Sequence, residues 1–191
     1  MNNEVKIGNQ VWMTENLGVD YFLNGDPIPH ARIDEEWKKA CDNKQPAWCY
    51  YENDPTNGAK YGKLYNWYAV NDSRGIAPEG WHVPSDNEWK TLTNYLGGEY
   101  VAGNKMKSTS RWLGWLNKGN SANSIGLSYL PGGHRDDDGT YYHIGCGGYW
   151  WSSTEYDTYH AWYRALHCNK GIAYRSGSNK GVGFSVRCLR D

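Results

Sequence analysis

Six histidines, five cysteines and one run of aspartates are the groups in this 191-residue chain best suited to catalytic or metal chemistry. None of His30, His82, His134, His143, His160 and His167 has a partner at the spacing of an HExxH zinc helix. His82, inside Gly80-Trp81-His82-Val83-Pro84, reads as a structural hydrogen-bonding group rather than a ligand or general base. Cys41, Cys49, Cys146, Cys168 and Cys188 make an odd count with no CxxC pair, which argues against structural zinc. Free and mostly buried thiols are expected; one disulfide is the alternative, and spacing does not choose its partners. Asp136-Asp137-Asp138-Gly139 could offer oxygens to calcium. Lacking a glutamate at EF-hand distance, it reads first as a solvated hairpin tip. No GxSxG elbow, P-loop or GxGxxG occurs, and nothing singles out a carboxylate pair for glycoside hydrolysis. The expectation is therefore a chain without enzymatic activity, metal site or cofactor, calcium being the one candidate.

The bulk properties narrow the classes further. The length suits a single domain over residues 1–191. A net charge of −1 with no basic stripe argues against nucleic acid as a partner. No apolar run is long enough to span a membrane, and Met1 to Gly8 lack the basic and apolar regions of a secretion leader. The chain holds 11 Trp and 16 Tyr against 2 Phe, with 23 Gly. Rings with a polar handle can build a loop-rich core and also favour interfaces.

The elements that must position these groups read as α+β, with two short helices and a twisted antiparallel sheet. Apolar runs flanking Gly8-Asn9 predict a β-hairpin. A short helix is expected over Asp34 to Ala40, with Asp34 as its cap. The strongest helix runs from Asp86 to Leu96. Ser85 and Glu88 form its capping box, Trp89, Leu92, Leu96 and Tyr95 its apolar face, and Gly97-Gly98 its end. Another helix is expected over Tyr100 to Met106. After about residue 110, short strands are read in GLSYLP, TYYHIG, GYWWSST, AWYRALH, GIAYRS and GFSVRCL.

Several blocks then form an ordered set: Ile7 to Leu17 (IGNQVWMTENL), Lys60 to Trp67 (KYGKLYNW) and Pro78 to Ser85 (PEGWHVPS). Glu88-Trp89, Lys105 to Ser108 (KMKS), Leu130 to Gly133 (LPGG), Tyr149 to Thr154 (YWWSST) and Gly183 to Cys188 (GFSVRC) follow. Together they resemble the Fibrobacter succinogenes major paralogous domain over nearly the whole chain. The resemblance implies a C-type-lectin-like fold of the formylglycine-generating-enzyme type. Many members are bacterial surface proteins, and some are variable target proteins of diversity-generating retroelements in bacteria and phages. In those, a C-terminal stretch rewritten at adenines forms the ligand-binding face. Members often carry cysteines where Ala59 and Ala77 stand here, and their joint loss argues against an oxidising compartment. An oxidase of the formylglycine-generating type would need a reactive cysteine pair. Cys146 and Cys188 could be neighbours, but neither lies in a matching motif, and the EPN and QPD motifs of sugar-binding animal lectins are absent.

On this resemblance residues 1–154 and 183–191 are scaffold, and 155–182 form a hypervariable binding region. From Tyr156 to Val182 only Trp162, Lys170 and Lys180 lie outside the residues that an adenine-mutated asparagine codon can reach. The expected ligand contacts are Asp157, Tyr159, His160, Tyr163, His167, Asn169, Tyr174, Arg175, Ser176 and Ser178. Trp150 and Trp151 are expected in the core beneath them. The implied function is receptor binding or adhesion: recognition of a protein or glycan on a cell or virion surface, from the cell surface or a phage virion. An undiversified adhesin or carbohydrate-binding domain is the alternative.

Overall fold

The computed structural model describes residues 3–113, 123 and 125–191. Strands β1 (Glu4–Ile7) and β2 (Gln10–Met13) form the expected hairpin across Gly8-Asn9. Gly8 takes φ +59°, the left-handed value that tight hairpin turns favour. Helix α1 spans Asp34–Asp42, but Ile33 holds its cap position without a side-chain bond. Asp34 instead accepts from Arg135 Nη2 at 2.7 Å, so tertiary pairing overrides the expected cap. Short strands β3 (Trp48–Cys49) and β4 (Leu64–Tyr65) pair with each other. Between them lies helix α2 (Pro55–Tyr61), whose Asp54 cap accepts from the Thr56 N–H. Helix α3 (Trp67–Val70) follows, capped by Asn66, and then β5 (Trp81–His82).

Helix α4 (Asp86–Tyr95) has both bonds of the Ser85–Glu88 capping box. Trp89, Leu92 and Leu96 are buried, but Tyr95 is 64% exposed and lies outside the apolar face expected of it. It lies against the Gly8 turn instead. Helix α5 (Glu99–Met106) comes next. The second half supplies β6 (Gly132–Arg135), β7 (Tyr141–Ile144), β8 (Gly147–Glu155), β9 (His160–His167), β10 (Ala173–Asn179) and β11 (Leu189–Arg190).

The chain is α+β, with five α-helices among the described residues: α1, α4 and α5 where helices are expected, and α2 and α3 besides. The single antiparallel sheet expected is replaced by a four-stranded sheet β1-β2-β11-β5, a five-stranded sheet β10-β9-β8-β6-β7 and the β3-β4 pair. The β6–β8 link is parallel, through Gly133 and Gly148. Of two further segments read as strands, GLSYLP makes only an isolated bridge, and GFSVRCL makes three before its last residue, Leu189, opens β11. Tyr129 bridges Lys107, and Gly183, Phe184 and Ser185 bridge Arg135, Tyr65 and Trp150 in turn. Each residue of that second segment meets a different element, so it stitches the core rather than extending one ladder.

Trp150 and Trp151 are fully buried, on opposite faces of β8 as strand alternation requires. The Trp150 face packs with Trp89, Ala102 and Leu166; the Trp151 face packs with Tyr149, Ala165 and Phe184. Arg187 is fully buried near the N-terminal hairpin. It donates to Leu127 O at 2.8 Å, Met13 O at 3.1 Å and Asn16 Oδ1 at 2.9 Å. No carboxylate among the described residues pairs with it. Asn16 Oδ1 also accepts from Trp150 Nε1 at 2.9 Å, and its Nδ2 donates to Tyr61 O at 2.7 Å.

Asn16→Ala would remove the acceptor of Arg187 Nε and Nη2 and of the Trp150 indole N–H together, leaving Arg187 only its bonds to Met13 O and Leu127 O. It should cost about 3 kcal/mol, read as a lower urea midpoint at unchanged m-value. A loss within about 0.5 kcal/mol, as for an ordinary surface substitution, would show that this amide is not the link.

Candidate functional site

Register decides which side chains of the C-terminal hairpin share a face. Tyr163 pairs with Ser176 and Trp151, Ala165 with Tyr174 and Tyr149, and Ala161 with Ser178. Alternation therefore places Tyr163, His167, Tyr174, Ser176 and Ser178 on one face with Tyr149 and Trp151. Trp162, Arg164, Leu166, Ala173 and Arg175 take the other, toward α4 and α5.

The second face is an anchor. Arg164 is fully buried and donates to Asp86 Oδ1 at 3.0 Å. Arg175 grips the same carboxylate with Nε at 2.8 Å and Nη2 at 3.0 Å, and Lys90 adds a third cation at 2.8 Å. Burial alone would raise the Asp86 pKa; the bonds from Arg175, Lys90 and Arg164 outweigh it and hold the carboxyl far below the usual range. Arg175 also lies 3.3 Å above the Trp162 ring, whose other neighbour is the edge of Tyr156 at 4.5 Å. Of the ten expected contact residues, Arg175 is thus placed apart, committed to α4.

The β8–β9 turn carries Asp157, Tyr159 and His160. Asp157 Oδ1 accepts from the Tyr159 N–H at 2.8 Å and the His160 N–H at 2.9 Å, and its carboxylate meets His160 Nδ1. These bonds shape the turn and leave Tyr159 projecting, 68% exposed. Lys180, buried at the end of β10, donates to Thr158 O at 2.8 Å, pairs with Glu155 and sits 4.9 Å over the Trp67 ring. At the opposite end Asn169 is exposed in the β9–β10 connection. Helix α5 lies directly on that connection: a Cβ on Gly103 would come within 2.6 Å of the carbonyl oxygens of Gly171 and Ile172.

A disulfide joins Cys146 to Cys168 beside this connection, correcting the expectation of free thiols. Cys41, Cys49 and Cys188 remain free. Cys188 is fully buried, and burial pushes its thiol up to about 12. It is therefore neither Cys146's partner nor a reactive thiol. The bond also removes the argument against an oxidising compartment drawn from Ala59 and Ala77.

The first face, half-buried at Tyr163, His167, Tyr174 and Ser178 and exposed at Ser176, extends beyond residues 155–182. Tyr142 and His143 of β7 join it, both exposed. His143 Nδ1 meets the Tyr149 hydroxyl at 3.2 Å. The His143 ring lies 5.4 Å from that of His134 and 6.2 Å from that of His167, and His167 meets Tyr174 edge-on at 5.5 Å. The strand around Tyr142 is visible in sequence, but its place in the same sheet as β9, beyond β8 and β6, depends on the parallel β6–β8 link, for which no local signal exists. Burial, with His143 and His167 adding to it and Asp136 opposing, pushes His134 down to about 4. Burial, His143 and Lys107 also lower His167.

No three His, Cys, Asp or Glu side chains among the described residues converge to hold a metal ion. In the acidic turn, Asp138 Oδ1 accepts from the Thr140 N–H and Asp137 Oδ2 from Asn179 Nδ2, at 2.8 and 2.9 Å. No helix among the described residues is long and apolar enough to cross a membrane.

Compared with known proteins, the Fibrobacter succinogenes major domain family matches residues 5–190. No curated protein and no solved structure matches.

Two acid transitions should separate. His134 is harder to protonate folded than unfolded, so its stabilising share is complete above the ordinary histidine pKa of 6.5. It is lost as pH falls from there toward about 4. Asp86 is easier to ionise folded, so its share is lost only as pH falls below the ordinary 3.8. Urea midpoints measured across this range should decline in both windows. His134→Gln should make the upper window shallower and leave the lower one as it is, His30 and His167 keeping their own share of the upper decline; an unchanged upper slope would remove His134 as a source.

Proposed function

The chain belongs to the Fibrobacter succinogenes major domain family, and on that premise we propose that it is a non-enzymatic binding protein whose ligand docks on the β8–β10 face. The observation that carries this reading is the asymmetry of the hairpin. One face is committed to Asp86 and the helices. The other offers Tyr163, His167, Tyr174, Ser176 and Ser178, with Tyr142 and His143 beside them. Rigid amphipathic rings with short hydroxyl side chains supply contact area at low entropic cost and adaptable hydrogen bonding, the pattern of binding loops. Tyr159, Asp157, His160 and Asn169 lie at the two ends of the hairpin and widen the surface. The ligand is a protein or glycan on a cell or virion surface.

In this reading the fold is C-type-lectin-like, of the formylglycine-generating-enzyme type, and the chain is the variable protein of a diversity-generating retroelement. Within residues 155–182, Arg164, Arg175 and Lys180 stay fixed because each holds the hairpin to the scaffold. Variation then falls on the Tyr163–Tyr174 face and the turn. The Cys146–Cys168 disulfide favours display outside a reducing cytoplasm, which also suits an undiversified adhesin.

Two measurements test this. DNA flanking the gene should carry a reverse transcriptase and a near-identical template copy of the 3′ end; their absence leaves the undiversified adhesin. On arrays of cell-surface proteins and glycans, Tyr163→Ala and Tyr174→Ala should each weaken binding by roughly tenfold or more, compared at a temperature where each variant is folded, since both rings pack on the core and their loss lowers the thermal midpoint. Undiminished binding by both variants would place the ligand elsewhere.

A further inference from the structure

A cleft of about 430 Å³ opens between Leu23, α3, the turn at Gly75-Ile76-Ala77, β5 and Ser153 near the end of β8. None of its lining residues belongs to the hairpin segment 155–182. Its walls are apolar. Val70, Ile76 and Val83 present edges of the core, Trp81 is half-buried, and Leu23 stays 61% exposed. One side is closed by ionisable groups. His82 Nε2 meets Glu88 Oε1 at 2.9 Å, and His82 Nδ1 meets Asp191 Oδ1 at 2.7 Å. An imidazole between two carboxylates leaves excess negative charge there in either protonation state. Arg190, the cation over the Trp81 ring at 5.1 Å, is itself paired with Glu4. The start of α4 does not offset the charge either: the Glu88 carboxylate accepts from the Ser85 N–H and hydroxyl, and Ser85 Oγ accepts from the Glu88 N–H. The donors that would attract an anion are occupied.

We propose that this cleft binds a small organic ammonium ion, its ring or chain against Val70, Ile76, Trp81 and Val83 and its nitrogen turned toward Glu88, with Asp191 behind His82 adding to the negative charge. The volume lies within the range of small-ligand sites, apolar walls around a few polar groups. The apolar part supplies contact area and the carboxylates supply discrimination, because an anion of the same shape meets like charge.

The test uses three probes of nearly equal shape on the full chain: 2-phenylethylammonium, 2-phenylethanol and 3-phenylpropionate, each titrated by NMR. The ammonium probe should shift the Trp81 indole N–H and the Val70 and Val83 methyls. It should bind about fivefold more tightly than the alcohol, and the carboxylate should bind weakest. Asp191→Asn should reduce the ammonium preference without changing alcohol binding, and Ala77→Leu should fill the cleft and weaken both. Absence of shifts at these residues, or binding of 3-phenylpropionate equal to that of the ammonium probe, overturns the proposal.

Discussion

A single buried carboxylate fixes how the C-terminal hairpin sits on the rest of the molecule. Asp86 receives Arg164 from β9, Arg175 from β10 and Lys90 from its own helix. Its backbone N–H donates to Thr154 Oγ1 on β8 at 3.0 Å. Three adjacent strands are thereby referred to one point on α4. That point is set by sequence-local chemistry, since the Ser85–Glu88 box defines where the helix begins and hence where Asp86 stands. Desolvating two guanidinium groups is costly, and a buried ion pair is often no better than apolar packing of equal volume. Its gain is in position. Neither arginine has another carboxylate among the described residues, so the hairpin has one satisfied placement.

The contact face depends on the same arrangement. With alternate residues of β9 and β10 held toward α4 and α5 by ion pairs and apolar packing, the residues between them take the opposite face, where Ala161 and Ala165 are buried, Tyr163, His167, Tyr174 and Ser178 half-buried and Ser176 exposed. The rings of Tyr163 and Tyr174 pack their inner sides on the Trp151–Phe184 core, so what this face can offer for contact is their outer sides with Ser176, Ser178 and His167. Tyr149 marks the boundary: its ring stacks on Phe184 in the core at 5.2 Å while its hydroxyl reaches His143.

Sequence made the local features legible. The Gly8-Asn9 turn, the α4 capping box and the strands around Trp150, Ala165 and Tyr174 all carry their signal within a few residues. Helices α2 and α3 were hidden because Pro-Thr-Asn-Gly and Asn-Trp-Tyr-Ala are as compatible with turns; only Tyr50 lying where a Gly58 Cβ would go explains that glycine. The burial of Arg135, Arg164 and Arg187 has no composition signal, since each draws partners from far away in sequence. For Arg175 the sequence carries a signal of its own. Tyr174, Ser176 and Ser178 share even positions on β10, so period-two alternation already sets Arg175 on the opposite face.

The close approach of α5 to the β9–β10 connection bears on how this hairpin can evolve. With Gly103 pressed against the Gly171 and Ile172 carbonyls, and Asn104 against Gly171, no space remains there for another residue. The disulfide at Cys168 fixes the chain just before it, and Lys180 fixes the far end of β10. Insertions or deletions would break one of these contacts, whereas substitutions on the outward face touch none. The architecture admits change in the letters of this segment but holds their number constant, so a lineage could explore many surfaces without altering its reading length.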